Sequence, residues 1–286
     1  MSEHQLNASL QQQIANTLGV RADIKPAQEA QRRIDFLCEH LIRNQRRSLV
    51  LGISGGVDSL CAGFLCQHAA QQARTTGHEV QFFAVRLPYG TQRDAADAER
   101  AVQLIAPDQA LTINIKPASD AILRALLDGG TSFSSPAQQD FILGNIKARQ
   151  RMIAQYALAG THAGLVIGTD QAAEALMGFF TKFGDGACDV TPLSGLTKRQ
   201  VRAIATYFGA EQSLVFKVPT ADLEDLMPLK PDELSYGVTY DEIDDFLEGK
   251  TINDRAWQII LKQYQMTAHK RALPIGAADP QAQFAQ

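Results

Sequence analysis

The stretch SLVLGISGGVDSLCAGFL, residues 48–65, decides the fold that the sequence predicts. Residues 49–53 form a short apolar run typical of a buried strand, and residues 60–65 have helical spacing. The turn between them, SGGVDS, contains Gly55 and Gly56, which allow unusual backbone conformations and a close approach to a ligand. The first amides of a helix have no intrahelical acceptor, and the helix dipole adds about half a positive charge there. The turn is therefore predicted to bind phosphate.

Side-chain oxygens add to this predicted phosphate site. Ser54 and Ser59 supply hydroxyl groups, and Asp58 supplies a hard oxygen ligand suited to Mg²⁺. The turn lacks the lysine of the Walker loop and the third glycine of the dinucleotide fingerprint. The alternative is a glycine-rich strand-to-helix turn that binds nothing.

Composition narrows the class of protein. The 286 residues fit one large domain or two small ones, and 45% hydrophobic with 20% charged residues is typical of soluble globular proteins. A net charge of −4 is not the basic footprint of a nucleic-acid-binding protein. The polar N-terminus lacks the apolar core of a signal peptide, and no apolar run approaches the ~20 residues that span a bilayer. We expect a cytoplasmic enzyme without a nucleic-acid or membrane partner.

The four cysteines are expected to be free thiols without a catalytic role. Cys38, Cys61, Cys66 and Cys188 form no CxxC pair, so neither a zinc site nor a dithiol redox pair is indicated. Cys38 lies on an apolar helical face, where burial would raise its pKa and leave it inert.

After residue 65, strands and helices alternate, which predicts an α/β fold. We expect an open parallel β-sheet of about five strands with helices on both faces. Further strands are predicted at 80–85, 111–115, 165–167 and 214–218, and helices at 5–19, 27–42, 95–105, 118–127, 137–159, 198–208, 239–249 and 254–264. The polar clusters follow strand ends, where ligands bind in such sheets.

Residues 1–286 are expected to form one domain with several segments. These are N-terminal helices over 5–45, a nucleotide-binding core over 48–218, a loop over 220–239, C-terminal helices over 240–275 and a flexible tail over 277–286. The loop has two prolines, several carboxylates and no clear period. A structureless loop of this length is often a functional lid, and the alternative is a surface insertion.

Several motifs together resemble known families. SGGVDS resembles the loop of the ATP pyrophosphatases, which have an adenine-nucleotide alpha-hydrolase-like fold. GTDQAAE at 168–174, GFFTKFGDG at 178–186 and LTKRQ at 196–200 narrow the resemblance to the NAD synthetases. Further matching strings are GNIKARQRMIAQY at 144–156, PTADLED at 219–225, VTYDEIDDFLEGK at 238–250 and HKR at 269–271. The resemblance covers residues 27–275.

The resemblance implies a ligase that forms a carbon–nitrogen bond. ATP would adenylate the carboxylate of nicotinic acid adenine dinucleotide (deamido-NAD), and ammonia would displace AMP to give NAD. About fifty residues precede the first strand, fewer than an appended glutaminase domain needs, so free ammonia is expected as the nitrogen donor. The family also implies a homodimer whose dinucleotide site spans two chains, with Arg149 serving the partner's site.

The same resemblance implies roles for individual residues. Asp58, Glu174 and Lys198 would be catalytic, with Asp58 and Glu174 holding Mg²⁺. ATP would contact Gly52, Ile53, Ser54, Gly55, Gly56, Val57, Asp58, Ser59, Thr169, Lys198 and Thr220. The dinucleotide would contact Arg149, Lys182, Asp189, His269 and Lys270.

Some of these residues also have simpler interpretations, and some positions differ from the usual family pattern. Glu174 could be a solvated helix carboxylate, and Phe179, Phe180 and Phe183 could be core rather than neighbours of the pyridine ring. Gln171 and Ala187 stand where the family usually has His and Gly. Competing functions are a tRNA-modifying pyrophosphatase, which would need paired cysteines or a basic face, and a non-catalytic nucleotide sensor.

Overall fold

The computed structural model describes residues 3–92, 94–220, 223–227 and 229–276. Its elements, in chain order, are α1 Glu3–Thr17, α2 Pro26–Arg43, β1 Ser48–Gly52, α3 Val57–Thr75, β2 Gln81–Arg86, α4 Ala95–Ile105, β3 Gln109–Thr112, α5 Lys116–Asp128, α6 Pro136–Thr161, β4 Gly164–Ile167, α7 Ala172–Met177, α8 Lys198–Tyr207, α9 Gln212–Val215, α10 Asp232–Tyr236, α11 Tyr240–Leu247, α12 Asp254–Met266 and α13 Ala268–Arg271. The predicted tail at 277–286 lies outside the described residues.

The sheet has four parallel strands in the order β3-β2-β1-β4. The chain passes from β1 outward to β2 and β3 and then returns to the other side of β1 for β4. The loops after β1 and β4 therefore lie at the point where the strand order reverses, which is where ligands bind in open α/β sheets. The predicted parallel α/β fold is confirmed.

The predicted fifth strand at 214–218 is wrong. Residues 212–215 form the short helix α9, in which the Leu214 and Val215 amides both donate to the Glu211 carbonyl. A short apolar run does not distinguish a strand from a buried helical turn, and here both apolar side chains are buried in the core. Next to β4 the described residues place a single bridge, Ile167 to Val190, instead of a fifth strand.

Helices cover both faces of the sheet. Leu49 and Leu51 of β1 join one core cluster with α2, α3 and α8, while Val50 joins a second cluster with Ala159 of α6. This alternation follows from the two-residue period of a strand. Because both faces are buried, β1 has a continuous apolar sequence, as parallel strands do.

A third apolar cluster joins α1 to the C-terminal helices. Ile14 packs there with residues of α7, α10, α11 and α12. Leu6 and Leu10, which share the predicted apolar stripe of α1, are more than one-third exposed. Of the helices in the described ranges, none is both long and apolar enough to cross a membrane.

Candidate active site

The turn after β1 is shaped by one glycine in a left-handed conformation. Gly55 has φ +86°, and a Cβ there would lie 2.7 Å from the Ala98 amide nitrogen of α4. Gly56 has an ordinary φ of −84° and precedes α3 as its N-cap residue. The expectation that both glycines provide unusual backbone conformations therefore holds for Gly55 alone, whereas Gly56 keeps the helix end open to a ligand.

The two serine hydroxyls hold the turn in place. The Ser54 amide donates to Ser59 Oγ at 3.2 Å, and Ser59 Oγ donates to the Gly56 carbonyl at 3.0 Å. The Gly56 amide in turn donates to Ser54 Oγ at 3.3 Å. These bonds fix the loop in front of the first turn of α3, whose amides have no intrahelical acceptor. The result is a preformed cradle for an anion.

Lys198 places a positive charge beside this cradle. Its Nζ donates to Asp58 Oδ2 at 2.5 Å and lies 4.8 Å from the centre of the Tyr240 ring. Lys198 is only 1% exposed. Asp58 Oδ1 is also buried and has no hydrogen-bond partner within the described part of the chain. A buried carboxylate oxygen without a donor is suited to a cation.

The N-terminus of α8 determines where Lys198 lies. Thr197 and Gln200 form a capping box, and the Asp244 carboxylate of α11 accepts hydrogen bonds from the Lys198 and Arg199 amides at 3.0 and 2.7 Å. A carboxylate is favourable at this end of a helix. The cap offsets the unfavourable position of two cations in the first turn.

Glu174 lies on α7, close to the same group of charges. Burial raises its pKa well above the ordinary value; the nearby Asp58 raises it further, and Lys198 opposes the shift. Burial likewise raises the pKa of Asp170 to about 8, with contributions from Asp185 and Asp58. Burial and the repulsion between neighbouring carboxylates therefore favour the neutral forms of Glu174 and Asp170.

Gln171, one of the departures, is a helix cap. It is fully buried, its Oε1 accepts from the Ala173 backbone amide at 2.6 Å, and its backbone N–H donates to Glu174 Oε2 at 3.3 Å. This capping box orients the Glu174 side chain. Ala187, the other departure, lies in the cleft wall.

The turn, Asp58, Glu174 and Lys198 line one open cleft. It extends from the 52–59 turn to Thr169 after β4 and to Thr220. The predicted ATP-contact residues are gathered here, apart from Gly55, which packs behind the turn on α4. Residues that sequence reasoning missed also line it: Gln92, Asp94, Arg151, Gln155, Lys217, Leu223 and Asp232. Gln155 Oε1 accepts from the Gly52 amide at 2.9 Å, and a signal for it was available, since both Arg151 and Gln155 lie in the matched string at 144–156.

Four of the five predicted dinucleotide contacts form a second group around α13. Arg149 Nη2 donates to the Lys182 carbonyl at 3.1 Å, and Lys182 Nζ donates to the His269 carbonyl at 2.6 Å. Lys270 Nζ donates to the Gly178 and Phe180 carbonyls at 2.9 and 2.8 Å. Asp189 instead accepts from the Val166 amide of β4 at 2.8 Å, so the structure gives it a role at the sheet edge.

The segment predicted as a lid divides into two parts. Residues 232–239 are ordered around α10, where the Tyr240 hydroxyl donates to Asp232 Oδ2 at 3.0 Å and the Asp232 amide donates to the Pro219 carbonyl. Residues 223–227 run along α6, and Leu223 forms part of the cleft wall. Within its described residues, the segment is therefore not structureless.

Cysteines and aromatic residues also have defined places. The four thiols are free, and burial raises the pKa of Cys188, which is partly rather than fully exposed, to about 12. Phe179 packs edge-on against the Tyr236 ring in the third core cluster, whereas Phe183 is 52% exposed.

Comparison with known proteins agrees with this geometry. A family model described as NAD synthase matches residues 29–274. The chain belongs to the NAD synthase family. The resemblance predicted from the motifs is confirmed, and it favours the main interpretation over a tRNA-modifying enzyme or a nucleotide sensor.

Relatives in the NAD synthase family match over nearly their whole length. The NH(3)-dependent NAD(+) synthetase of Streptomyces coelicolor is 58% identical over 93% of this chain and 97% of its own. The crystal structure of NAD+ synthetase from Burkholderia pseudomallei aligns with a TM-score of 0.82 and 53% identity, covering 94% of this chain and 98% of that one. The NMN synthetase of Francisella tularensis aligns with a TM-score of 0.78 at 33% identity over 90% and 100% of the two chains.

Proposed function

We propose that this chain is an ammonia-dependent ligase that converts deamido-NAD, ATP and ammonia to NAD, AMP and pyrophosphate. The observation that carries the proposal is the arrangement of the SGGVDS turn, Asp58, Glu174 and Lys198 in one cleft at the switch point of the sheet. A carboxylate resists attack by ammonia because it is anionic and would have to expel oxide. Transfer of AMP to the carboxylate supplies a good leaving group.

The residues of the cleft would activate ATP by position and charge. The turn and the first amides of α3 bind the β- and γ-phosphates, which leave together as pyrophosphate. The buried Lys198 ammonium stabilises the charge that develops when the bond between the α- and β-phosphates breaks. Thr169 and Thr220, which also line the cleft, would border the remainder of the nucleotide. Alignment of the carboxylate with the α-phosphorus then lowers the barrier.

Mg²⁺ is the metal that these residues fit. Asp58 Oδ1 is a buried acceptor without a donor, and Glu174 lies among the same charges. Within the described residues no group of three or more His, Cys, Asp or Glu side chains could hold a metal by itself, and Mg²⁺ typically uses one or two carboxylates together with substrate phosphates. Asp58 and Glu174 would hold it, and when bound it would neutralise phosphate charge.

The dinucleotide would bind at the second group of residues, which are Arg149, Lys182, His269 and Lys270. Asp189, the fifth predicted contact, follows Lys182 in the sequence by seven residues. We place this site at the interface of a homodimer. Arg149 and Ile153 are one turn apart on α6 and are neighbours on its surface. Phe141 precedes Arg149 on the same helix, so the three follow a stripe that winds gradually around it. Phe141 and Ile153 are 56% and 51% exposed, and Ile122 and Leu127 of α5 are 45% and 42% exposed. A second copy covering these side chains would bring Arg149 to the partner's substrate.

Two further expectations belong to the proposal. Residues 220–239 would close over the cleft, because water in an open site would hydrolyse the acyl-adenylate. The enzyme would act in the cytoplasm, where thiols stay reduced, and four free cysteines fit that compartment.

A product assay tests the proposal. Purified protein with ATP, Mg²⁺, ammonia and deamido-NAD should form NAD, AMP and pyrophosphate in equal amounts. Nicotinic acid mononucleotide, which lacks the AMP half, is the control acid and should react much more slowly. ADP and phosphate as main products, or a preference for the mononucleotide, would contradict the proposal.

A further inference from the structure

One face of α6 holds a short segment of chain against the cleft. Asp140, Gly144 and Lys147 lie at positions i, i+4 and i+7 and therefore on one side of the helix. All three are buried. Residues 223–226, which we call the stem, lie directly on this face.

Each of the three positions makes a different contact with the stem. The Asp140 carboxylate accepts from the Asp225 and Leu226 amides, both at 2.8 Å. Lys147 Nζ donates to the Leu223 carbonyl at 3.0 Å and to Asp225 Oδ1 at 2.6 Å. At Gly144, an added Cβ would lie 3.2 Å from Leu223 Cβ and 3.3 Å from its carbonyl oxygen, so the missing side chain permits the close approach.

Lys147 also contacts the loop that follows β2. Its Nζ lies 4.1 Å from the centre of the Tyr89 ring, within cation–π range. Tyr89 belongs to the loop after β2, of which Leu87 and Gln92 line the cleft. A single buried ammonium group thus touches both the stem and the loop that follows β2.

We propose that Asp140, Gly144 and Lys147, which together we call the clamp, are positioning residues. They keep the stem, and with it the part of the cleft wall formed by Leu223, closed against water during the reaction. The inference rests on the proposed function. A displaced stem would admit water to the acyl-adenylate. Water adding at the carbonyl carbon breaks the bond to AMP and returns the free acid, so that one ATP is consumed and no carbon–nitrogen bond forms.

Hydrogen exchange tests the clamp without any turnover. In the substrate-free protein the Asp225 and Leu226 amides should be protected. Asp140→Asn keeps the side-chain size but replaces one acceptor oxygen by a donor, so exchange there should accelerate roughly ten- to hundredfold, as expected for losing a hydrogen bond to a charged group. Unchanged exchange in a folded variant would overturn the clamp.

Product ratios test the positioning role. Lys147→Met and Gly144→Ala should release more AMP than NAD at limiting ammonia, with the excess AMP matched by recovered deamido-NAD. Lys116→Met is the matched control, because Lys116 also lies over the Tyr89 ring, at 4.4 Å, but pairs with Asp120 of its own helix. Its AMP and NAD should stay equal.

The outcomes separate the two proposals. A wild-type protein that forms no NAD contradicts the proposed function, while the exchange experiment still decides the clamp. Equal AMP and NAD in both folded variants would overturn the positioning role, as would an excess of AMP that Lys116→Met shares. Thermal unfolding of each variant identifies any loss that is caused by misfolding.

Discussion

Lys198 Nζ lies 2.5 Å from Asp58 Oδ2, although 140 residues separate the two in the chain. The contact joins the N-terminus of α8 to the N-terminus of α3, beside the phosphate cradle. Lys198 neutralises one oxygen of Asp58, and the other oxygen remains a buried acceptor. In the proposed function, the pair would therefore offer a cation to phosphate and an acceptor to a metal ion from the same point.

The carboxylates of this group should be essential for turnover. We expect Asp58→Asn and Glu174→Gln each to lower kcat by orders of magnitude, because each keeps its shape but loses the charge that would hold Mg²⁺. The control is Asp245→Asn on α11. It removes a carboxylate that lies 3.1 Å from Arg199 Nη2 and 3.0 Å from Lys250 Nζ. Steady-state rates over a magnesium titration, with circular dichroism to verify folding, measure the effect. Near-normal activity at limiting Mg²⁺ in either variant would refute its role as a ligand.

Local features of the fold could be predicted from the sequence. The strand, turn and first helix at 48–65 depend on neighbouring residues, and the Thr197 cap of α8 depends on a residue three positions away. The contact between Asp58 and Lys198 could not be predicted in this way, because it depends on the order of the strands. Only the resemblance to a family placed both residues in one site.

Other features were missed for identifiable physical reasons. Leu214 and Val215 form an apolar pair that fits a strand or a helical turn, and hydrogen bonds to Glu211 select the helix. Lys147, a lysine within a long helix, would ordinarily be a solvated charge. It is buried because the stem lies across it, and that contact joins segments 76 residues apart.

A homodimer makes a direct prediction about mass. Light scattering should give twice the 31.2 kDa chain mass. Because Phe141 and Ile153 are exposed on either side of Arg149 along α6, the double variant Phe141→Glu with Ile153→Glu should weaken association and activity together. Glutamates at Tyr207 and Phe216, exposed on a different part of the chain, provide the control. A wild-type monomer that is fully active at assay concentrations would contradict the shared site.

The thiols should be chemically inert. Burial raises the pKa of Cys38, and that of Cys188 to about 12, so few thiolates form at pH 8 and alkylation of the folded protein should be slow, accelerating as the pH rises. Replacing both cysteines by serine should leave turnover intact.

The nitrogen donor should be free ammonia. At fixed, subsaturating total ammonia, turnover should rise from pH 7 toward mild alkali, since neutral ammonia is the nucleophile. Robust synthesis from glutamine by this chain alone would refute the assignment.

The fate of the carboxylate oxygen tests the central claim most directly. Deamido-NAD labelled with ¹⁸O in its pyridine carboxylate should transfer one labelled oxygen to the phosphate of AMP, because the bond from that oxygen to the α-phosphorus survives when ammonia displaces AMP. Mass spectrometry of the AMP and pyrophosphate formed in one turnover measures the transfer. We expect one ¹⁸O in each AMP and none in pyrophosphate. Unlabelled AMP, or label in inorganic phosphate with ADP as the nucleotide product, would contradict activation through an acyl-adenylate.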